Sequence, residues 1–200
     1  MTAEVARPPG RPRDPGCDAR ILEATLGLLA DGGYDGVTME AVATRAGVGK
    51  ATLYRRYLGK DAMIVDALAT LSEPISRVSR GNVRDDLVAL LQATVRTTSS
   101  PAGRLLPRLV SAAVDNPGLL ERYRAQVITP RRQGFTDVLV RGMQSGALRA
   151  DLDVQQTIDL LVGPVLYRSL LRPDEAPVPA ARVVDAVLSG ITRLPRSTAR

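Results

Sequence analysis

The sequence predicts an all-α protein of about nine helices, and three observations carry that prediction. Apolar residues recur at three- and four-residue spacings, glycine and proline clusters punctuate those runs, and no convincing segment alternates with the period of two that a strand requires. Two hundred residues with 44% hydrophobic side chains can bury a sizeable core in one or two domains. No apolar run reaches the ~18 residues of a membrane span and no charged-then-apolar leader opens the chain, so a cytoplasmic location and no membrane partner are expected. Cys17 is the one cysteine, and histidine is absent. An internal disulfide is thereby excluded and the commonest metal ligands and acid–base groups are missing, so neither cofactor, metal nor catalysis is expected.

Residues 1–17 contain the run ARPPGRPRDPG, whose proline and glycine content prevents a helix; a flexible basic arm is expected. From about Asp18 to Ala30, Ile21, Leu22, Leu26, Leu28 and Leu29 mark a scaffold helix that Gly32-Gly33 should stop. Tyr34 and Val37 then close a small core.

The stretch from Thr38 to Lys60, TMEAVATRAGVGKATLYRRYLGK, reads as two short helices around a glycine turn. Thr38 stands where an N-cap belongs, ahead of a helix with Ala41, Val42 and Ala46 on one face. Gly47 ends that helix, because glycine tolerates the left-handed conformation of a sharp exit, and Val48 offers an apolar plug between crossing helices. In the second helix, steps of about 100° bring Leu53 and Tyr57 within roughly 40° of each other as the inward face. Ala51 and Arg55 point outward, Thr52 and Tyr54 take the flanks, and the stems of Lys50 and Arg56 reach around toward the outer face.

Five bases (Arg45, Lys50, Arg55, Arg56, Lys60) stand in this stretch against Glu40, a local balance of +4 in a chain of net charge +6. Residues 1–60 together carry only +2, because Asp14, Asp18, Glu23, Asp31 and Asp35 precede the bases. Placement rather than total charge is therefore expected to make a cationic docking surface. A helix with such a face suits a major groove, where cations neutralise phosphates and Arg or Lys donates to the guanine edge. Lys50, Thr52 and Arg56 are the base-edge candidates; Thr38, Arg55 and Lys60 are phosphate candidates, with Ala51 on the docking face. Beside such a helix, Arg7, Arg11 and Arg13 of the arm either solubilise the chain or enter the minor groove, and Gly10-Arg11-Pro12 looks like the core of an AT-hook.

Thr38, Ala43, the Ala46-Gly47-Val48 turn, Thr52-Leu53-Tyr54, the aromatic Tyr57 and Lys60 resemble the DNA-binding signature of tetracycline-repressor (TetR) family regulators. The likeness spans roughly residues 18–68; beyond them the chain is similar in length and helical character, with a looser likeness to one C-terminal subfamily. Gly49 departs from the pattern by standing where a capping serine is common, although glycine is itself an acceptable N-cap. The resemblance implies an N-terminal three-helix helix-turn-helix domain (18–60) and a C-terminal effector-binding and dimerisation domain (61–200), with a connecting helix at 61–73. It also implies base or phosphate contact at Tyr54, a homodimer on an inverted repeat of double-stranded DNA, and release by a small-molecule effector.

The connecting helix carries Met63, Ile64, Ala67 and Leu68 and should end at Ser72-Glu73-Pro74. Lys60 and the backbone N–H groups at its start can meet the same phosphate. Five further helices are expected at about 83–98, 102–114, 117–145 with a possible break at Pro130, 153–171 and 178–193. The last two are more apolar than lone surface helices need, through Leu161, Val165 and Leu166 and then Val184, Val187, Leu188 and Ile191. They could bury each other or meet the same pair of a second copy. Gly163-Pro164 interrupts the penultimate helix, as a structural kink or as one wall of a ligand cavity. Arg104, Arg108, Tyr123, Arg124, Tyr167 and Arg168 are polar candidates for such a cavity. Their arginine content points to an anionic or carboxylate-bearing effector, or merely to a chain that uses arginine in place of lysine. The competing function is a helical small-molecule carrier whose basic hairpin never meets DNA; an outward Tyr54 argues against it.

Overall fold

Side-chain caps set several of the helix starts in the computed structural model, which describes residues 16–71, 81–100 and 103–191. Thr38 Oγ1 accepts the Ala41 N–H at 3.0 Å, Asn82 Oδ1 that of Asp85 at 2.8 Å, and Asp153 Oδ1 that of Gln156 at 3.0 Å. Each satisfies a backbone donor that the first turn of a helix leaves unpaired. The helices so opened are α2 (Met39–Ala46), α5 (Val83–Ser99) and α9 (Val154–Leu171). The others are α1 (Cys17–Gly36), α3 (Lys50–Tyr54), α4 (Lys60–Thr70), α6 (Leu106–Asp115), α7 (Pro117–Tyr123), α8 (Thr129–Gln144) and α10 (Ala180–Ile191). No strand occurs among the described residues.

Three proline and glycine expectations come out differently. Helix α1 runs past Gly32; the break falls at Gly33 alone, at φ 67°, ψ −161°, after which one more helical turn reaches Gly36. Pro130 does not break the rod either. A π-turn at Arg124–Ile128 precedes it, with the Thr129 N–H donating to Arg124 O, so the wider turn takes up the ring and the missing donor while α7 and α8 stay continuous. Counting that rod once, the described residues hold nine helices, as the sequence predicts. Helix α9 likewise continues through Pro164, whose ring faces solvent.

The buried side chains form two clusters. One gathers α1 to α4 around fully buried Ile21, Val37, Val42, Leu53, Met63 and Ile64, and it extends to Leu105, Leu109, Leu119 and Val127. The other joins α5, α8, α9 and α10 around Leu87, Leu91, Phe135, Leu139, Ile158, Leu161 and Val184. Helices α6 and α7, which follow α5 in sequence, therefore pack onto the N-terminal helices. Arg84 clamps α5 to α10 by donating Nε and Nη2 to the Asp185 carboxylate at 2.6 and 3.0 Å. Asp86, fully buried on α5, is ion-paired with Arg141 of α8. No described helix is long and apolar enough to cross a membrane.

Candidate nucleic-acid interface and effector cavity

The turn between α2 and α3 has the geometry its glycine permits. Gly47 sits at φ 64°, ψ 37°; its N–H donates to Thr44 O at 3.2 Å, and the Val48 N–H reaches back to Ala43 O at 3.0 Å, which satisfies the last carbonyls of α2. Gly49 caps α3 with backbone alone, and α3 is correspondingly short, five residues followed by a loose turn. Leu53 is fully buried and Tyr57 nearly so, fixing the inward face, while Ala51, Tyr54 and Arg55 face solvent and Lys50 is exposed at the helix start. Thr52 is half-buried on the flank and lies 3.5 Å from Arg55 Nη2, which donates to its hydroxyl.

The cationic face is less open than its sequence suggests. Acids that precede the motif in sequence fold onto it: Asp31 pairs with Arg45 at 2.6 Å, and Asp18 pairs with Arg56. The separation of charge along the chain is therefore not a separation in space, because α1 lies against α2 and its Asp18 reaches the turn that follows α3. Lys50 Nζ stands 3.3 Å from Glu40, whose carboxyl is held below its ordinary range first by its own backbone N–H, then by Lys50, with a smaller contribution from Tyr54. These pairs are solvent-exposed and therefore weak, so a phosphate can replace the acid. Arg55 has no ion pair among the described residues and is the cation held ready. Arg7, Arg11 and Arg13 lie outside the described residues.

Lys60 is held at the start of α4. Its Nζ rests 3.7 Å above the Tyr34 ring centre and donates to Tyr34 O at 3.3 Å. The same tyrosine donates its hydroxyl to Asp61 at 2.6 Å and has Asn116 Oδ1 at 3.3 Å, on the turn between α6 and α7. Burial, then the bond and charge of Asp61, pushes the phenol far above its usual range and keeps it protonated. Tyr34 packs against the first cluster, as expected, and is also a polar junction of three elements.

A cavity of about 420 Å³ lies where the two clusters meet. Leu68 of α4 and Leu71 just beyond its end, Leu106 and Leu109 of α6, Phe135 of α8, and Val162, Gly163 and Leu166 of α9 line it. Gly163 is therefore a cavity wall. Thr94, Thr97 and Thr98 of α5 supply the polar side, with Arg131 Nη2 donating to Thr97 at 2.8 Å. A larger depression of about 580 Å³ runs along α1, but it is shallow and charged: Arg20 donates to Ala46 O at 3.3 Å and Arg45 is paired to Asp31. The apolar cavity is the better fit to a small effector.

Of the polar cavity candidates only Tyr123 lines this space, where burial raises its phenol and leaves it a neutral donor. Arg108 points the other way and donates to Leu29 O at 3.0 Å and to Ala30 O, tying α6 to α1. Arg124 and Tyr167 face solvent, and Arg104 and Arg168 line a separate, smaller cleft. The cavity threonines and Arg131 were missed because threonines at three- and four-residue spacing look like a solvated face; the signal was their position beside the apolar stripe of Leu87, Leu90 and Leu91.

The interface candidates need a similar correction. Leu161, Val165 and Val184 are buried in the chain's own second cluster, and Leu166 faces the cavity. Val187 and Leu188 are half-buried, while the side chain of Ile191 lies outside the described residues. Helix α9 carries apolar residues toward the core, the cavity and solvent. Its solvent side includes an apolar stripe, Leu160, Pro164, Tyr167 and Leu171, at steps of four, three and four, with Leu160, Tyr167 and Leu171 52%, 56% and 67% exposed.

Among the described residues no three carboxylate, cysteine or histidine groups converge on a point that could hold a metal ion. Residues 21–67 match the family model of bacterial regulatory proteins, tetR family, and residues 78–188 match that of the tetracyclin repressor-like C-terminal domain. The chain is 37% identical over 167 residues to the uncharacterised HTH-type transcriptional regulator YdeS of Bacillus subtilis, covering 83% of this chain and 84% of that protein. It is 28% identical over 179 residues to the DNA-binding transcriptional repressor TetR of Mycobacteroides abscessus, covering 88% and 93%. The crystal structure of TetR family transcription regulator SCO0332 superposes with a TM-score of 0.65 at 32% identity, covering 89% of this chain and all of that one.

Proposed function

We propose, from the premise that this chain belongs to the TetR family of bacterial regulators, that it represses transcription as a homodimer on an inverted-repeat operator and lets go when a small-molecule effector enters its cavity. The observation that carries the DNA reading is α3 with the turn that follows it: Leu53 and Tyr57 lock one side into the core while Lys50, Ala51, Tyr54 and Arg55 stand clear on the other. A carrier has no use for that outward face. Lys50 and Thr52 fit base edges, and Arg56 joins them once Asp18 is displaced. Tyr54, Arg55, Lys60 and the capped N-terminus of α2 at Thr38 fit phosphates.

Two-fold operators require two copies, and the outward stripe of α9 beside Val187 supports the subunit contact. In the dimer the two copies of α3 must stand about 34–36 Å apart to enter successive major grooves. Release follows from where the cavity lies. Its walls include α4, which begins at Lys60, and α6, which Arg108 ties to α1. A ligand that fits better when α4 and α6 have shifted draws the population toward a head spacing that no longer matches B-DNA.

The test is affinity selection of fragmented genomic DNA on the purified protein at physiological salt. An enriched inverted repeat is expected. DNA recovered without a shared motif, with and without extracts that contain small molecules, would favour the carrier function.

A further inference from the structure

The apolar cavity adjoins a space of opposite character. A cleft of about 220 Å³ between the C-terminal ends of α5 and α9 is lined by Arg104, Arg168 and Arg172 together with Ser99, Ser169 and Glu175. Thr98 belongs to the walls of both spaces. Gly103 makes this corner: a Cβ there would fall 2.0 Å from Thr98 O, so only glycine lets the chain turn closely over the end of α5 and bring Arg104 to the cleft.

Two of the three guanidinium groups share one carboxylate. Glu175 is 3.2 Å from Arg172 Nη1 and 3.8 Å from Arg168 Nε, and Arg168 Nη1 also donates to Ala176 O at 3.1 Å. Arg104 has no ion pair among the described residues. The cleft therefore carries two positive charges in excess, presented as planar forks suited to a multiply charged oxyanion. On α9, Leu166 faces the cavity and Ser169, one turn on, faces the cleft, so a single molecule can span both.

We infer that the effector is an amphiphile with a phosphate head, its apolar body in the cavity and its head across Thr98 among Arg104, Arg168 and Arg172. This rests on the effector-release reading above and names the chemical class of that effector. The test is calorimetric titration of the full-length protein, without DNA, using dodecyl phosphate, dodecanoate and dodecanol below their aggregation limits. Dodecyl phosphate should bind about tenfold or more tightly than dodecanol, with dodecanoate between them and the advantage shrinking as salt is added.

The double variant Arg104→Gln, Arg172→Gln should bring phosphate to within about threefold of the alcohol while dodecanol affinity stays unchanged. Arg168 is left in place because it holds the loop that follows α9. Leu166→Trp, which narrows the cavity, should weaken all three probes alike. Equal binding of phosphate and alcohol, a preference untouched by the double variant, or no binding of any probe overturns the inference. In parallel, dodecyl phosphate is added to the protein bound to its selected inverted repeat. Headgroup discrimination without DNA release would sink the release mechanism and leave the bipartite site standing, whereas DNA binding without headgroup discrimination sinks the bipartite site alone.

Discussion

Replacing Gly47 by alanine isolates what the α2–α3 turn demands of its sequence. At φ 64°, ψ 37° a side chain suffers the left-handed penalty of about 1–2 kcal/mol, and a Cβ there would meet nothing within 4 Å, so no steric clash adds to it. Alanine also reduces the freedom of the unfolded chain, which offsets roughly 0.4–1 kcal/mol. The net loss should be about 1 kcal/mol, or a melting temperature lower by about 2–4 °C for a chain of this size. Asparagine, which visits the left-handed region more readily, should lose about half as much. Thermal and urea unfolding of the three proteins at one fixed concentration, alongside operator affinity measured on each, makes the assay. Operator affinity should hold, because the Val48 N–H bond to Ala43 O and the buried Leu53 keep α3 in place once the protein is folded. Asparagine as costly as alanine would refute a backbone origin for the loss. Unchanged stability with collapsed operator affinity would show that the turn escapes its left-handed conformation and carries α3 with it.

Lys60→Ala should weaken binding to all DNA sequences alike and lower the salt slope by about 1, whereas Lys50→Ala should change the preferred bases; competition binding across a salt series separates the two. Leu161→Ala should cost about 2–5 kcal/mol of stability with dimerisation intact, while Leu160→Glu, one residue away but on the solvent face, should dissociate the dimer in sedimentation without unfolding the subunit. Burial lifts the Asp66 carboxyl above its ordinary value, with Arg122 partly opposing, so its charged form costs stability at neutral pH. Asp66→Asn should therefore melt above the wild type at pH 7. That advantage should shrink as pH falls through the folded pKa and vanish below the unfolded value of about 3.9, where both states bind the proton.

The sequence was most legible where a single residue type has a single structural use. Thr38, Gly47, Leu53 and Tyr57 could be assigned because an N-cap, a left-handed exit and an inward face each leave a local mark. Helix spans in the second half were nearly as clear, since glycine and proline separate runs of apolar residues at helical spacing. What failed was partnership across space. Arg108 resembled a cavity lining and proved to be a tie to α1; Arg56 resembled a free base reader and proved to be paired to Asp18. Helix α9 defeated periodicity for a further reason: with apolar residues on three sides, nothing in the pattern says that Leu161 faces the core, Leu166 the cavity and Leu160 the solvent.

The first buried cluster reaches from Cys17, which the sequence assigns to the arm but which opens α1, to Val127, and it crosses the point at which a modular description would cut the chain. A fragment ending at residue 71 would leave Met63, Ile64 and Leu68 without the neighbours that α6 and α7 provide. The unit of inheritance for DNA specificity is therefore larger than the segment that touches DNA. Chimeras that graft another regulator's head onto this body should fold and respond only when the matching surfaces of α6 and α7 travel with it.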